Sequence, residues 1–306
     1  MDWDKLRVFH AVAEAGSFTQ AGSVLNLSQS AISRQIAALE NDLRQPLFHR
    51  HARGLVLTEQ GEILFKTAHD MSSKLAMTEA LIGESKEFPS GELRVAATVG
   101  GSTWLTPRLA EFLSRYPRIT IDLIVTNQDI DLSMREADVT VMFQRPTQPD
   151  IVFRQLQDIG YYLFAAKSYI ARHGMPTSPE DLDNHKLIVY GGVIPRSTFD
   201  INWVMSLGAT HGKKRDPVIK VNNIFGVQMA IRSGIGIGTL PFYMAADQED
   251  IVQVLPEIAG PVSTPYFAYP QELRNSKRLG VFRDFLMEKV EEMAAEGGDD
   301  IASTSP

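Results

Sequence analysis

Residues 28–43 constrain the fold more than any other stretch of the 306-residue chain. Apolar side chains recur there at the spacing of an α-helix, which places on one inward side Ile32, Ile36, Leu39 and Leu43. The opposite side is short and polar, with a single charge: Ser30, Ser33, Arg34, Ala37 and Asn41. A face shaped only for solubility would carry Lys and Glu, whereas hydroxyls, amides and Arg are the groups that reach base edges in a major groove. Two interpretations stand at this point: a solvated surface helix, or a helix that reads DNA.

The sequence before this helix predicts a helix-turn-helix. Residues 4–14 have helical spacing and stop near Gly16, and residues 17–20 have the form of a capping box that opens a short second helix. Ser28 is a natural N-cap for the third helix, directly after a tight turn. Small side chains at Ala21 and Gly22 let the two helices approach each other, as this motif requires.

A basic loop at residues 49–54 precedes a short strand predicted at 55–57, which is the layout of a wing beside a helix-turn-helix. No acidic residue occurs between Leu43 and Gly54, so the local charge differs from the net charge of −7 for the chain. We therefore expect Arg50 and Arg53 to contact phosphates or to enter a minor groove, which adds affinity more than selectivity.

A long helix is predicted from residue 59 to about residue 87. Its apolar seam has heptad spacing, through Leu64, Ala68, Met71, Leu75, Thr78 and Ile82. Such a seam packs either in the core of the same chain or against a second copy. The neighbouring DNA-binding pattern favours the dimer, because symmetric operators need paired reading helices. Residues 88–91 (Phe-Pro-Ser-Gly) then end the helix and mark a domain boundary.

Beyond residue 92 the pattern alternates between strands and helices, which predicts a parallel α/β sheet. Strands are expected at 93–97, 119–125, 139–143, 161–166, 187–190, 219–221, 234–241 and 266–270, and helices at 106–115, 131–136, 168–173, 226–233 and 279–293. Two such lobes, joined by crossover strands, would enclose a hinged cleft. The loop at 98–103 has the glycine and hydroxyl content for a small polar ligand, and it lacks the glycine patterns of nucleotide sites.

Composition narrows the function further. The absence of cysteine excludes disulfides, thiolate zinc sites and thiol redox sensing. The seven histidines are scattered without a HExxH or GxSxG pattern, so neither a metal site nor an enzyme is predicted. The N-terminal residues resemble no signal peptide and no stretch is long and apolar enough for a membrane span, so we expect a cytoplasmic location.

Residues 1–66 closely resemble the N-terminal domain of the LysR-type transcriptional regulators. The matching segments are 15–18, 27–36, 39–40, 46–48 and 57–61, together with Ala21, Leu43 and Arg50. The remainder is similar to the effector-binding domain of that family at 91–95, 116–117 and 234–241. Gly22 departs from the usual Ala of the family, at a cost of about 1 kcal/mol in helix propensity.

The resemblance implies a winged helix-turn-helix at 1–58, a dimerising linker helix at 59–89 and a two-lobed effector domain like that of periplasmic binding proteins at 90–295. The small, polar and acidic composition of residues 296–306 separately predicts a disordered tail. It also implies a tetramer acting on double-stranded promoter DNA, with RNA polymerase as a further partner, no membrane partner and no cofactor apart from a small co-inducer. Gln29, Ser30, Ser33 and Arg34 would face bases, and Ser28, Arg50 and Arg53 would hold the backbone. The effector residues would be Thr98, Gly100, Gly101, Ser102, Thr103, Asn127, Phe143, Gly192 and Phe225.

Two other protein classes compete with this interpretation. A periplasmic solute-binding protein with an extra helical domain would need a signal peptide. An enzyme that used the α/β cleft would need a catalytic pattern, and the sequence has none of those considered. We therefore expect a DNA-binding, ligand-responsive regulator.

Overall fold

The computed structural model describes residues 2–51, 54–83, 88–128, 130–132, 135–143, 145–148, 150–192, 200–209 and 214–302. The chain separates into two compact units, the first spanning residues 1–83 and the second comprising nearly all of the remainder. No helix within the described residues combines the length and the apolarity that a bilayer span requires.

The first unit is a winged helix-turn-helix. Its elements are α1 (Trp3–Ala15), α2 (Phe18–Leu25), α3 (Gln29–Leu43), β1 (Phe48–His51), β2 (Gly54–Leu57) and α4 (Glu59–Gly83). The antiparallel hairpin β1–β2 supplies the predicted wing. One apolar core joins the elements, with these residues among its members: Leu6, Phe9, Val12, Ala21, Ile32, Ile36, Leu39, Leu47 and Phe48.

The first lobe of the second unit is a five-stranded sheet. Its strands are β3 (Gly91–Ala97), β4 (Ile119–Val125), β5 (Val139–Met142), β6 (Ile151–Gln155) and β13 (Tyr266–Pro270), in the order β4-β3-β5-β13-β6. The parallel pairs β3–β4 and β3–β5 match the prediction, whereas β13 pairs antiparallel with β5 and β6. Helices α5 (Val99–Arg115) and α8 (Lys277–Ala302) meet where Phe112 packs on Phe282 at 5.3 Å.

The second lobe is a six-stranded sheet. Its strands are β7 (Ile159–Ala166), β8 (Leu187–Tyr190), β9 (Ile219–Val221), β10 (Ile237–Pro241), β11 (Ile251–Val254) and β12 (Val262–Ser263). Helices α6 (Lys167–His173) and α7 (Ile224–Arg232) complete the lobe. The chain passes from β6 to β7 and returns from β12 to β13, so two crossovers connect the lobes. This is the predicted two-lobed α/β architecture.

Several local predictions differ from the structure. Residues 49–51, predicted as part of a loop, belong to strand β1. Leu43 is 37% exposed rather than buried, because α3 ends there and Arg44 turns into the left-handed region at φ 54°. Ser17 caps α2 without a side-chain hydrogen bond, so the capping box is not formed. Helix α5 begins at Val99, seven residues earlier than predicted, because Thr98 caps it ahead of Pro107.

The described residues of 131–136 form a turn and not the predicted helix. Helix α8 continues past Met293 to Ala302, into the segment predicted to be a disordered tail. Its glycines lower helix propensity, but no proline interrupts the segment before that point. Residues 303–306 lie outside the described part of the chain.

Candidate nucleic-acid interface and ligand cavity

The N-terminus of α3 is held by the turn that precedes it. Leu27 donates its backbone N–H to the Gly22 carbonyl at 2.9 Å, and Asn26 takes the left-handed conformation at φ 53°. The Ser28 hydroxyl accepts the Ala31 N–H at 3.2 Å and lies 3.1 Å from the Ser30 hydroxyl. The predicted cap is confirmed, and it fixes the start of the helix.

Helix α3 presents most of the predicted reading side chains to solvent. Gln29, Ser30 and Arg34 are exposed, and Ser33 is half-buried. Arg34 donates from Nε to the Ser30 carbonyl at 3.3 Å, so its guanidinium lies along its own helix. Because this bond is exposed, exchanging it for a base edge costs little net free energy. The arrangement therefore suits direct base readout.

Glu40 connects α3 to the wing. Its Oε1 accepts the buried Leu47 N–H at 2.7 Å and the Phe48 N–H at 3.4 Å. Thr58 makes a second connection, donating its hydroxyl to the Pro46 carbonyl at 2.7 Å and accepting the Gly61 N–H at 3.0 Å. The sequence predicts the start of helix α4 at residues 58–61 but not the bonds that connect Glu40 and Thr58 to residues 46–48, because contacts with a distant backbone leave no local periodic signal.

The two wing arginines remain predictions. Arg50 lies in β1, opposite Leu55 of β2, but its side chain is outside the described part of the structure. Arg53 lies outside the described residues altogether.

The predicted dimer seam of α4 divides into two parts. Ala68, with 2% exposure, belongs to the core of its own unit, and the partly buried Leu64 packs against that core. Met71 and Leu75 are 43% and 47% exposed, Thr78 is exposed, and the Ile82 side chain lies outside the described structure. Only the later part of the seam is therefore available to a partner, and the earlier part follows the same-chain alternative.

The predicted effector loop is in fact the capped first turn of α5. The Thr98 hydroxyl accepts the Gly101 N–H at 3.1 Å, while Ser102 and Thr103 donate their hydroxyls to backbone carbonyls of the same helix. Gly100 is buried, and a Cβ at this position would lie 3.0 Å from the Tyr243 hydroxyl and 3.2 Å from the Ile224 side chain. Gly100 is thus a close-approach position between the lobes, and the hydroxyls of Ser102 and Thr103 serve the helix.

A cavity of about 220 Å³ opens at the carboxyl ends of β3, β4 and β5. Its lining includes the predicted Thr98, Asn127 and Phe143, and it adds polar groups that the sequence did not indicate: Thr126, Gln128, Thr140, Arg145 and Gln148. A smaller apolar cavity of about 50 Å³ lies beside Thr98, Gly101 and Phe143. Carboxyl ends of parallel strands are the usual ligand position in such sheets, so the larger cavity is the candidate site.

Asn127 links this cavity to the second lobe. Its Oδ1 accepts the Val99 N–H at 3.3 Å, and its Nδ2 donates to the Tyr190 hydroxyl at 3.2 Å. Burial raises the pKa of Tyr190 above its usual value, although the Asn127 hydrogen bond lowers it, so the hydroxyl stays protonated at neutral pH. Gly192 (φ 79°) and Phe225 (46% exposed) lie on the second lobe, outside the lining of both cavities.

Comparison with known proteins identifies both units. A model of the bacterial regulatory helix-turn-helix proteins of the lysR family matches residues 3–62, and a model of the LysR substrate binding domain matches residues 86–291.

Individual relatives agree with these models. A transcriptional regulator of Xanthomonas campestris is 32% identical over 188 residues, which are 61% of this chain and 55% of that protein. The regulator CrgA of Neisseria meningitidis is 29% identical over 292 residues, 94% of this chain and 96% of its own. Among solved structures, CrgA has a TM-score of 0.58 at 27% identity, covering 95% of this chain and 99% of its own. The Vibrio cholerae virulence activator AphB has a TM-score of 0.58 at 26% identity, covering 94% and 99%.

Proposed function

The chain belongs to the LysR family of bacterial transcriptional regulators, and from that premise we propose which residues read DNA and which bind a co-inducer. It is a LysR-type regulator and not an enzyme, in line with relatives that are named as transcriptional regulators. On the DNA side, Gln29, Ser30, Ser33 and Arg34 contact base edges of a double-stranded promoter. Ser28, Arg50 and Arg53 contact the sugar-phosphate backbone.

One observation carries this assignment. The apolar side of α3 is fixed in the core through Ile32, Ile36 and Leu39, so its polar N-terminal turns point outward with a capped start. Short hydroxyls, an amide and a guanidinium at the start of such a helix are the donor and acceptor set of major-groove readout.

Selection from a random DNA pool by the full chain tests this assignment. The wild type should enrich a two-fold symmetric site, and Arg34→Ala should enrich a shorter or more degenerate one, because one bidentate base contact is missing. Arg154→Ala is the matched control, since Arg154 is an exposed arginine on β6 of the other unit. A motif that is identical for wild type and Arg34→Ala would contradict the role of Arg34.

A symmetric site requires paired copies. We propose that Met71 and Leu75 form the accessible part of a dimer contact on α4, that dimers assemble into a tetramer at the promoter, and that RNA polymerase is the partner there. Two exposed apolar side chains one helical turn apart on a long helix support the dimer. The family membership supports DNA binding and self-association.

The co-inducer is proposed to bind in the 220 Å³ cavity of the first lobe. Among the lining residues that the structure describes are threonine hydroxyls, side-chain amides and one guanidinium, that of Arg145, which lies 5.0 Å from the centroid of the Phe153 ring. This set suits a small polar molecule with one carboxylate. A ligand there would touch Thr98 and Asn127, and Asn127 bonds to Tyr190 of the second lobe, so its binding would change the contact between the lobes. Gly192 and Phe225 remain predicted contacts from that lobe.

A thermal-shift screen of the full chain against small carboxylic acids, sugar acids and their neutral analogues tests this proposal. Hits should be acids, and calorimetry of a hit should show Arg145→Gln binding about 10- to 100-fold weaker, the loss expected for one charge-assisted hydrogen bond. Arg154 is an exposed arginine outside the cavity lining, so the control variant Arg154→Gln should bind like the wild type. Hits that bind Arg145→Gln unchanged would place the co-inducer elsewhere.

A further inference from the structure

Three potential metal ligands converge where α1 packs on α4 in the first unit. His10 and Glu14 lie four residues apart on one face of α1, and His69 approaches them from α4. His10 Nε2 lies 3.0 Å from His69 Nδ1, and Glu14 Oε1 lies 3.6 Å from the former atom and 3.7 Å from the latter. The DNA-binding assignment uses none of these three residues.

The three distances fit one small cation. A tetrahedral Zn²⁺ with bonds of about 2.0–2.1 Å separates its ligand atoms by about 3.3–3.4 Å. The three distances between the nitrogen and oxygen atoms here are 3.0, 3.6 and 3.7 Å, so one is shorter and two are longer than that separation. Movements of a few tenths of an ångström by side chains would bring all three atoms to bonding distance, with water as the fourth ligand.

The surroundings hold the two imidazoles in place. His10 stacks on Phe65 with ring centroids 5.5 Å apart and planes inclined by 14°. Phe65 also packs against His69 at 5.7 Å, and the neighbouring Ala68 is buried in the core. The side chains of His10 and His69 are 12% and 25% exposed, whereas Glu14 is 51% exposed. An ion could therefore enter from the Glu14 side and meet two imidazoles already positioned.

The donor set selects the class of ion. Two imidazole nitrogens and one carboxylate oxygen suit zinc and neighbouring transition metals, whereas Ca²⁺ and Mg²⁺ prefer oxygen ligands. We propose that His10, Glu14 and His69 form a binding site for one divalent transition-metal ion, Zn²⁺ or a close analogue. The ion would join α1, the first helix of the DNA-binding unit, to the linker helix α4.

No pattern in the sequence indicates this site, and the sequence analysis predicts no metal. His10 and Glu14 have ordinary helical spacing, and His69 lies far along the chain on another helix. Only the packing of α1 on α4 brings the three residues together.

Cobalt titration of the full-length, tag-free and chelator-treated protein tests the proposal, because tetrahedral Co²⁺ has strong visible absorption that reports its ligands directly. One equivalent of Co²⁺ per chain should produce this absorption, and one equivalent of Zn²⁺ should remove it. His69→Asn and Glu14→Gln should each weaken binding by more than about tenfold, since loss of an outer-shell partner alone costs 10–100-fold. His173→Asn, an exposed histidine on α6, is the matched control and should bind like the wild type.

Folding of each variant is checked by circular dichroism without metal. Glu14 is half-exposed, so Glu14→Gln tests the site even if a histidine variant unfolds. The proposal is overturned if no tetrahedral absorption appears at one equivalent of Co²⁺. It is also overturned if folded Glu14→Gln and folded His69→Asn bind cobalt as tightly as the wild type.

Discussion

Glu40 should control the stability of the wing. Its carboxylate accepts the Leu47 N–H at 2.7 Å, and Leu47 is 1% exposed, so removing the acceptor leaves a buried donor without a partner. A hydrogen bond to a charged group contributes about 1.5–3 kcal/mol, and the 3.4 Å bond to Phe48 adds little because it is long. Glu40→Ala should therefore lower the free energy of local opening by about 2 kcal/mol. Glu40→Gln keeps an oxygen acceptor and should cost about half as much or less.

Hydrogen–deuterium exchange of the full chain measures this opening directly. A loss of about 2 kcal/mol corresponds to exchange roughly 30-fold faster in peptides covering residues 45–51, whereas peptides of the second unit should not change. Glu62→Ala is the control, because Glu62 is an exposed carboxylate at the start of α4. Unchanged protection of residues 45–51 in Glu40→Ala would refute the proposed role, as would equal losses for Glu40→Ala and Glu40→Gln.

Three further changes test other parts of the structure. Gly22→Ala should destabilise the first unit in chemical denaturation, because its Cβ would lie 2.6 Å from the Leu27 carbonyl oxygen, and this clash should outweigh the gain of about 1 kcal/mol in helix propensity. A more stable variant would contradict this close approach. Leu75→Glu should shift the chain towards monomer in light scattering, because it places a charge in the exposed seam of α4, whereas the neighbouring Lys74→Glu should leave the molecular mass unchanged. An unchanged mass for Leu75→Glu would exclude this residue from the dimer contact. Gly100→Ala should lower the melting temperature by an amount equivalent to about 1–3 kcal/mol, because the added methyl group would lie 3.0 Å from the Tyr243 hydroxyl. An unchanged melting temperature would show that the two lobes separate freely at this position.

The first unit could be predicted almost completely from sequence, because its signals are local. Ser28 as N-cap and the apolar spacing of Ile32 and Ile36 are both read within one helix, and both are confirmed. The prediction that Leu43 is buried is wrong, because apolar spacing alone does not show where the helix ends and where its packing partners stop. Gly22 shows the same limit: the sequence indicates only the helix propensity that glycine loses, not the close backbone approach of Leu27 that leaves no room for a Cβ.

The position of the candidate cavity could be predicted from sequence, but most of its polar lining could not. The loop at Thr98 follows from the rule that loops after strands meet at one edge of a parallel sheet. Asn127 and Phe143 were instead implied by the family resemblance, and all three residues line the cavity. Arg145 and Gln148 were missed because they follow β5 in a segment without periodic signal. The hydroxyls of Ser102 and Thr103 satisfy their own helix, which only the position of the Thr98 cap reveals. The link from Asn127 to Tyr190 joins distant parts of the chain and leaves no local trace.

Operator titration of Arg34→Ala tests the central claim, that the exposed turns of α3 read bases, most directly. Fluorescence anisotropy would compare wild type and Arg34→Ala on the selected operator, on operators with single base changes, and over a range of salt concentrations. Loss of one bidentate base contact predicts binding weaker by about 1–3 kcal/mol on the operator, with discrimination lost at one base position in each half-site. If Arg34 contacts only phosphate, the variant will weaken binding to every sequence alike and reduce the salt dependence. That second result, or no change at all, would contradict base reading by α3.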